Sequence, residues 1–198
     1  MEKIPNEVYE RVRSAYLKQI RVPGTKPQRQ YILCPVGLVG AGKTTVIKPL
    51  AEKLNLVRIS GDEIRKVFKE EGFGYDRVRE LMFVLVESFL EKGFSVAIDS
   101  DCASEESREH IKEAEERSGA KALWIHINPP EAFILRKLKH LTPNWLGTAE
   151  AMIENYYRRK PLHELLDLPF LYTFDTSRGD LDRQIEEAVS TITESLKE

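Results

Sequence analysis

The 198-residue sequence predicts an α/β fold in which helices cover both faces of a parallel sheet. Short apolar segments of strand length alternate with longer segments whose apolar residues recur at helical spacing. Consecutive strands of a parallel sheet need crossover connections, and the intervening helices supply them. Hydrophobic residues make up 41% and charged residues 31% of the chain, an ordinary balance for a globular protein with a sizeable core.

The N-terminal segment is expected to form an amphipathic helix over residues 4–20, because its apolar residues recur at helical spacing between charges. Two prolines and a glycine in RVPGTKPQRQ, residues 21–30, indicate a linker. We therefore expect an N-terminal helix and linker at 1–29, followed by one α/β domain at 30–198.

Strands and helices then follow one another along the domain. The expected strands are 31–36, 56–60, 94–98, 122–127 and 170–174, and the expected helices are 43–54, 62–72, 75–92, 104–119, one after Pro129-Pro130, and 181–196. Pro35 cannot donate a ladder hydrogen bond, so we expect it at the end of the first strand or at a bulge.

Charge and hydropathy disfavour some partners. A formal net charge of −2 provides no global field for non-specific binding to nucleic acid or an anionic membrane. No apolar run approaches the roughly 20 residues needed to cross a bilayer, and the charged start lacks the apolar core of a secretory signal. We expect a cytoplasmic protein with no membrane partner. Cys34 and Cys102 have no metal-ligand spacing and are expected to be buried thiols.

Residues 37–45, GLVGAGKTT, match the phosphate-binding P-loop pattern and lie between a strand and a helix. Glycines let backbone N–H groups turn towards phosphates, and the next helix points its positive N-terminus at them. Lys43 is expected to reach the β- and γ-phosphates, and the Thr44 hydroxyl to ligate Mg²⁺. Thr45 is expected mainly to pack at the start of the helix. The candidate nucleotide-binding residues are Gly37, Gly40, Ala41, Gly42, Lys43, Thr44 and Thr45.

With this motif, the chain resembles the P-loop kinases that include polynucleotide 5′-hydroxyl kinases, chloramphenicol phosphotransferase and zeta toxins. The resemblance spans about residues 31–195 and rests on GLVGAGKTT, SGDEIR, VAIDSD, a basic segment starting at Arg136, and DTS. It implies a P-loop NTPase three-layer sandwich. The five-stranded parallel sheet would have the order 2-3-1-4-5, and a small helical lid would lie at about 136–160.

SGDEIR carries the Asp-x-x-Arg pair of the resembled kinases, Asp62 and Arg65. The resemblance implies that Asp62 orients and deprotonates the acceptor hydroxyl, and that Arg65 binds an anionic group of the acceptor. A structural alternative exists, because Ser60 and Glu63 form a capping box and Asp62 in the first turn favours the helix dipole. Capping leaves Arg65 unexplained, and both interpretations can hold together.

VAIDSD is an apolar strand that ends in acid, as in a Walker B motif. Asp99 is expected to contact Mg²⁺ directly or through water, with Asp101 either replacing it or belonging to the following turn.

The resemblance also implies that lid arginines clamp the transferring phosphate, and Arg136 matches the first of them. Lys139-His140 stands where a second arginine is usual, so Arg158 is an alternative source of the charge. The backbone around Thr176 and Ser177 would line the adenine, unless FDTSRGD is a plain turn. The four histidines show no metal spacing, and we assign none of them a role.

These features favour an ATP- and Mg²⁺-dependent kinase that transfers the γ-phosphoryl group to a hydroxyl. The alternative is a nucleoside-triphosphatase without a dedicated acceptor. ATP is favoured as donor because the chain lacks the Asn-Lys-x-Asp string of guanine-binding proteins. Candidate acceptors are a nucleotide, a nucleic-acid end, a phosphorylated sugar or an antibiotic hydroxyl, and the basic residues favour an acceptor that carries phosphate.

Overall fold

The computed structural model describes residues 4–142 and 147–197. Its strands are β1 (Tyr31–Val36), β2 (Val57–Ser60), β3 (Val96–Asp99), β4 (Lys121–Ile127) and β5 (Phe170–Phe174). Its helices are α1 (Asn6–Leu17), α2 (Lys43–Lys53), α3 (Gly61–Glu70), α4 (Val78–Glu91), α5 (Glu105–Ser118), α6 (Glu131–Lys139), α7 (Ala149–Glu164) and α8 (Leu181–Ser195). Within the described residues, no helix combines the length and apolar character needed to span a membrane.

The five strands form one parallel sheet in the order β2-β3-β1-β4-β5. The predicted fold class and strand order are therefore confirmed. Most observed elements begin and end within a few residues of their expected bounds, and β1 and β5 match them fully. The third strand is displaced towards its carboxyl end, so that Asp99 is its last residue.

Pro35 lies near the carboxyl end of β1, two residues beyond the last β1–β3 pair, Leu33 with Ala97. Its carbonyl accepts a hydrogen bond from the Cys102 N–H at 2.9 Å. Pro35, which has no N–H, therefore lies beyond the end of the β1–β3 ladder, as the sequence predicts. Cys34 and Cys102 are both buried free thiols.

Two hydrophobic clusters cover the two faces of the sheet and make three layers. One cluster is built by α1, α3, α4 and α5, and the other by α2, α6, α7 and α8. In α1, Val12 and Tyr16 are fully buried in the first cluster. The division into segments 1–29 and 30–198 stays a prediction, and α1 packs in the same core as α3 and α4.

Because all strands are parallel, the loops that follow them meet at one edge of the sheet. The P-loop (residues 37–45) follows β1, the start of α3 follows β2, and Asp101 follows β3. This edge therefore gathers the residues that the sequence singles out from distant parts of the chain.

Candidate active site

A cavity of about 660 Å³ opens at this edge of the sheet. Its walls include residues from the P-loop, β3 and the turn after it, α3 and α7. The predicted site residues among them are Gly37, Gly40, Gly42, Lys43, Thr44, Thr45, Asp62, Arg65 and Asp99. One surface thus unites the candidate phosphate-binding, metal-binding and acceptor residues.

The P-loop backbone needs glycine where it turns most tightly. Gly42 has a φ of 97°, in the left-handed region, and a side chain there would meet the Thr176 Cγ2 at 3.1 Å. The Thr176 hydroxyl donates a hydrogen bond to the carbonyl of buried Ala41 at 2.7 Å. Thr176 therefore lies directly against the loop, and its adenine-lining role stays a prediction.

The Lys43 side chain folds back over the start of the P-loop. Its ammonium group donates hydrogen bonds to the carbonyls of Gly37 at 2.7 Å and Leu38 at 3.1 Å. Burial lowers the pKa of Lys43, and the carboxylates of Asp101 and Asp62 oppose that shift. Lys43 thus lines the cavity close to carboxylates of opposite charge.

Thr44 and Asp99 form a pair of oxygen ligands. The Thr44 hydroxyl donates to Asp99 Oδ1 at 2.9 Å, and the carboxylate is almost completely buried. Oxygen donors of this kind suit Mg²⁺, which usually binds one or two carboxylates together with substrate phosphates. The residues present therefore fit the expected ion.

Arg58 contacts a site residue, and nothing in the sequence predicted this contact. Its guanidinium donates to Asp99 Oδ2 at 2.5 Å and also pairs with Glu63. Burial raises the pKa of Asp99, and the Arg58 charge and the Thr44 hydrogen bond oppose that shift. Alternation along β2 predicts that Arg58 and Ile59 point to opposite faces of the sheet. No local sequence pattern predicts the contact between Arg58 and Asp99, which is 41 positions away.

Asp101 connects the P-loop to α7. It accepts hydrogen bonds from the Gly37 N–H at 3.2 Å and from Arg159 at 2.8 Å, and His163 Nε2 lies 3.1 Å from it. Burial opposes ionisation of Asp101, but His163, Lys43 and Arg159 outweigh it and lower its pKa to about 2. No role of His163 was predicted from the sequence. His126 stacks on Phe170, with ring centroids 4.6 Å apart.

Asp62 and Arg65 pair with each other and both line the cavity. Ser60 caps the same helix, since its Oγ accepts the Glu63 N–H at 3.4 Å. Capping and a cavity-facing acid therefore coexist. The second half of the capping box is absent, because the Glu63 carboxylate pairs with Arg58.

The basic residues of the expected lid point in different directions. Lys137, Arg158 and Arg159 line the cavity, whereas Arg136 is exposed outside its wall, with its guanidinium 5.8 Å from the Phe133 ring centroid. The phosphate-clamp role of Arg136 stays a prediction. Residues 143–146 of the expected lid lie outside the described residues.

Ser177 folds back on its own turn. Its N–H and hydroxyl donate to Asp175 Oδ1 at 2.9 and 2.6 Å. This is the Asx-turn geometry that a plain turn would show. The adenine-lining role of Ser177 stays a prediction.

The parallel sheet, the P-loop and the acid at the end of β3 define a P-loop NTPase of kinase-like architecture. The chain belongs to the AAA_33 family, described as an AAA domain, whose model matches residues 32–142, more than half of the sequence. Membership of this P-loop family implies use of a nucleotide.

Known proteins give the same picture of the fold. A chain from the PezAT chromosomal toxin–antitoxin system of Streptococcus pneumoniae aligns with a TM-score of 0.64 and 13% identity over 100% of both chains. The APS kinase CysC of Mycobacterium tuberculosis, solved with AMPPNP and APS, aligns with a TM-score of 0.54 and 17% identity over 84% of this chain and 99% of the kinase chain. At these identities the likeness shows the fold alone.

One curated relative is similar in sequence. The bifunctional shikimate kinase/3-dehydroquinate synthase of Thermotoga maritima is 30% identical in an alignment of 142 residues that covers 65% of this chain and 26% of that protein. The match thus spans about a quarter of the relative's length. The narrower group of polynucleotide 5′-hydroxyl kinases, chloramphenicol phosphotransferase and zeta toxins is not confirmed by these comparisons.

Proposed function

We propose that the protein is an ATP- and Mg²⁺-dependent kinase that transfers the γ-phosphoryl group to a hydroxyl of a small molecule. The observation that carries this proposal is that Lys43 of the P-loop and the carboxylate of Asp62 line one cavity. A phosphate-binding lysine and an acid aimed at the same space are what transfer to an acceptor requires. Sequence similarity to the bifunctional shikimate kinase/3-dehydroquinate synthase of Thermotoga maritima adds support.

The residues take the following roles. The P-loop backbone and Lys43 bind the β- and γ-phosphates, and Thr44 and Asp99 hold Mg²⁺, which neutralises phosphate charge when bound. Asp62 accepts the proton of the acceptor hydroxyl. A bond forms between the acceptor oxygen and the γ-phosphorus, the bond from that phosphorus to the bridging oxygen breaks, and ADP leaves.

The cavity favours a small anionic acceptor. Its volume of about 660 Å³ falls within the range of roughly 300–1,000 Å³ typical of small-molecule sites. Arg65, Arg79 and Arg158 add positive charge to its walls. Arg65 pairs with Asp62 and Arg79 with Glu106, so these two guanidinium groups already contact carboxylates and could exchange them for an acceptor anion. A nucleic-acid end remains a candidate because it too presents phosphate beside a hydroxyl.

The test is incubation with γ-labelled ATP, Mg²⁺ and a panel of hydroxyl acceptors with and without phosphate or carboxylate groups. We expect label in an anionic small-molecule acceptor, and none with the Lys43→Ala protein. Release of labelled inorganic phosphate with every acceptor, and transfer to none, would instead establish the triphosphatase alternative.

A further inference from the structure

Helix α1 precedes the part of the chain that matches the family model, yet it contacts the segment that carries Asp62. The fully buried Tyr16 hydroxyl accepts a hydrogen bond from the Ser60 N–H at 2.7 Å. Ser60 is the last residue of β2 and the N-cap of α3. Tyr16 therefore holds the backbone at the point where the Asp62 helix begins.

This hydrogen bond replaces one that the sequence would make locally. In a capping box, the Glu63 carboxylate would accept the Ser60 N–H. That carboxylate pairs instead with Arg58, which in turn pairs with Asp99. Tyr16 thus satisfies a buried donor and leaves Glu63 to hold Arg58 beside the expected metal ligand.

Helix α1 also contacts the other end of α3 and the start of α4. Arg11 pairs with Glu71, just after α3, at 3.0 Å. Arg77, just before α4, donates to the Asn6 side chain at 2.8 Å, and its guanidinium lies 3.9 Å from the Tyr9 ring centroid. The wall between the start of α3 and the start of α4 is therefore fixed to α1 at three points.

We propose that Tyr16 is a positioning residue for phosphoryl transfer, whose hydroxyl fixes the first turn of α3 and thereby aims Asp62 at the acceptor. The inference rests on the proposed function, in which Asp62 serves the acceptor hydroxyl. Tyr16→Phe keeps the buried ring but leaves the Ser60 N–H without its partner. The first turn of α3 can then shift, and small displacements of a reacting group lower the rate strongly.

The chain offers a matched control on the same helix. Tyr9 is buried, and its hydroxyl has no hydrogen-bond partner among the residues that the structure describes. Tyr9→Phe therefore removes one phenol oxygen from α1 while keeping the ring that faces Arg77. Comparing Tyr16→Phe with Tyr9→Phe isolates the hydrogen bond to Ser60 from a general effect of changing a buried tyrosine.

Transfer kinetics give the first measurement. We expect kcat in Tyr16→Phe to fall roughly 10- to 100-fold, the scale of a misplaced reactive group, with the KM for ATP unchanged. Tyr9→Phe should keep the wild-type values. A wild-type kcat in Tyr16→Phe would overturn the inference, and so would an equal loss in both variants.

Amide hydrogen exchange tests the same hydrogen bond independently of any activity measurement. Exchange at Ser60 and in the first turn of α3 should be faster in Tyr16→Phe and unchanged in Tyr9→Phe. If the wild-type protein transfers phosphate to no acceptor, the proposed function fails, and the exchange rates alone decide whether Tyr16 positions α3. Unchanged exchange in Tyr16→Phe would then overturn the inference.

Discussion

The Asp101 carboxylate accepts a hydrogen bond from Arg159 at 2.8 Å and thereby joins the turn after β3 to α7. The other carboxylate oxygen accepts the N–H of Gly37, the first residue of the P-loop. His163 on α7 lies against the same carboxylate with only 6% of its side chain exposed. One acidic side chain thus couples the phosphate-binding loop to the basic helix beside it.

The stability contributed by Asp101 should depend on pH. Its pKa falls from an ordinary value of 3.8 to about 2 in the folded protein. A depressed carboxyl pKa stabilises the fold above the unfolded-state value, and that contribution disappears as pH falls from about 4 to about 2. At about 1.4 kcal/mol per unit, the full contribution is about 2 kcal/mol.

Urea unfolding of the wild type and Asp101→Asn, without nucleotide or metal, measures this contribution. The wild type should be the more stable protein at pH 6, and its advantage should shrink as pH falls below about 4. A difference that stays constant from pH 6 to pH 3 would show that the ionised carboxylate contributes nothing.

The cavity geometry adds Arg159 to the candidates for the phosphate clamp. Arg159 lines the cavity and is close enough to Lys43 to affect its pKa, whereas Arg136 is exposed outside the wall. We expect Arg159→Ala to lower kcat by roughly 10²-fold or more, as loss of a preorganised charge does, and Arg136→Ala to have a smaller effect. Steady-state transfer kinetics of both variants compare the two losses of kcat. A larger loss in Arg136→Ala would show that Arg136, the residue that the sequence favours, is the phosphate clamp.

The fold could be predicted from sequence because its signals are local. Most strands are short apolar runs, most helices have their own apolar period, and the P-loop is one contiguous motif. The order 2-3-1-4-5 came from the resemblance, since no local pattern determines which strands are neighbours.

The unpredicted parts of the site are long-range contacts between ordinary polar residues. Tyr16 and Ser60 are 44 positions apart, and Asp101 and His163 are 62 apart. Three consecutive basic residues of α7 also take different partners: Arg158 bonds Asn155, Arg159 bonds Asp101, and Lys160 bonds Glu131. Successive helical residues point about 100° apart, so a basic run does not identify which of its residues face the cavity.

Lys43→Ala should remove most activity without unfolding the protein. It deletes the cation expected between the β- and γ-phosphates, so we expect kcat to fall by roughly 10³-fold or more, the scale of a charge that stabilises the transferring group. Lys53→Ala on the same helix is the control, because Lys53 is exposed and pairs with Glu186 at 2.6 Å on the surface. Wild-type turnover of Lys43→Ala with Mg-ATP, at an unchanged melting temperature, would refute the P-loop assignment.

The effect of Asp62→Asn on phosphoryl transfer distinguishes a kinase from a triphosphatase without an acceptor. If Asp62 serves the acceptor hydroxyl, Asp62→Asn should lower transfer by roughly 10²- to 10⁴-fold, the usual contribution of a positioned acid or base. The KM for ATP should barely change, because Asp62 lies on α3 and not in the P-loop. The free energy of unfolding should fall by no more than about 1 kcal/mol, since the pair with Arg65 is half exposed.

Glu70→Gln provides the matched control for Asp62→Asn. It neutralises another carboxylate of α3, whose oxygen lies 3.9 Å from the Lys66 ammonium group on the surface of the helix. Transfer should stay at the wild-type rate in this control, with a small loss of stability. The opposite pattern in Asp62→Asn, with near-normal transfer and a clear loss of stability, would reduce Asp62 to a part of the helix cap. The proposed acceptor site would then have no assigned base, and most of the support for a kinase over a hydrolase would be removed.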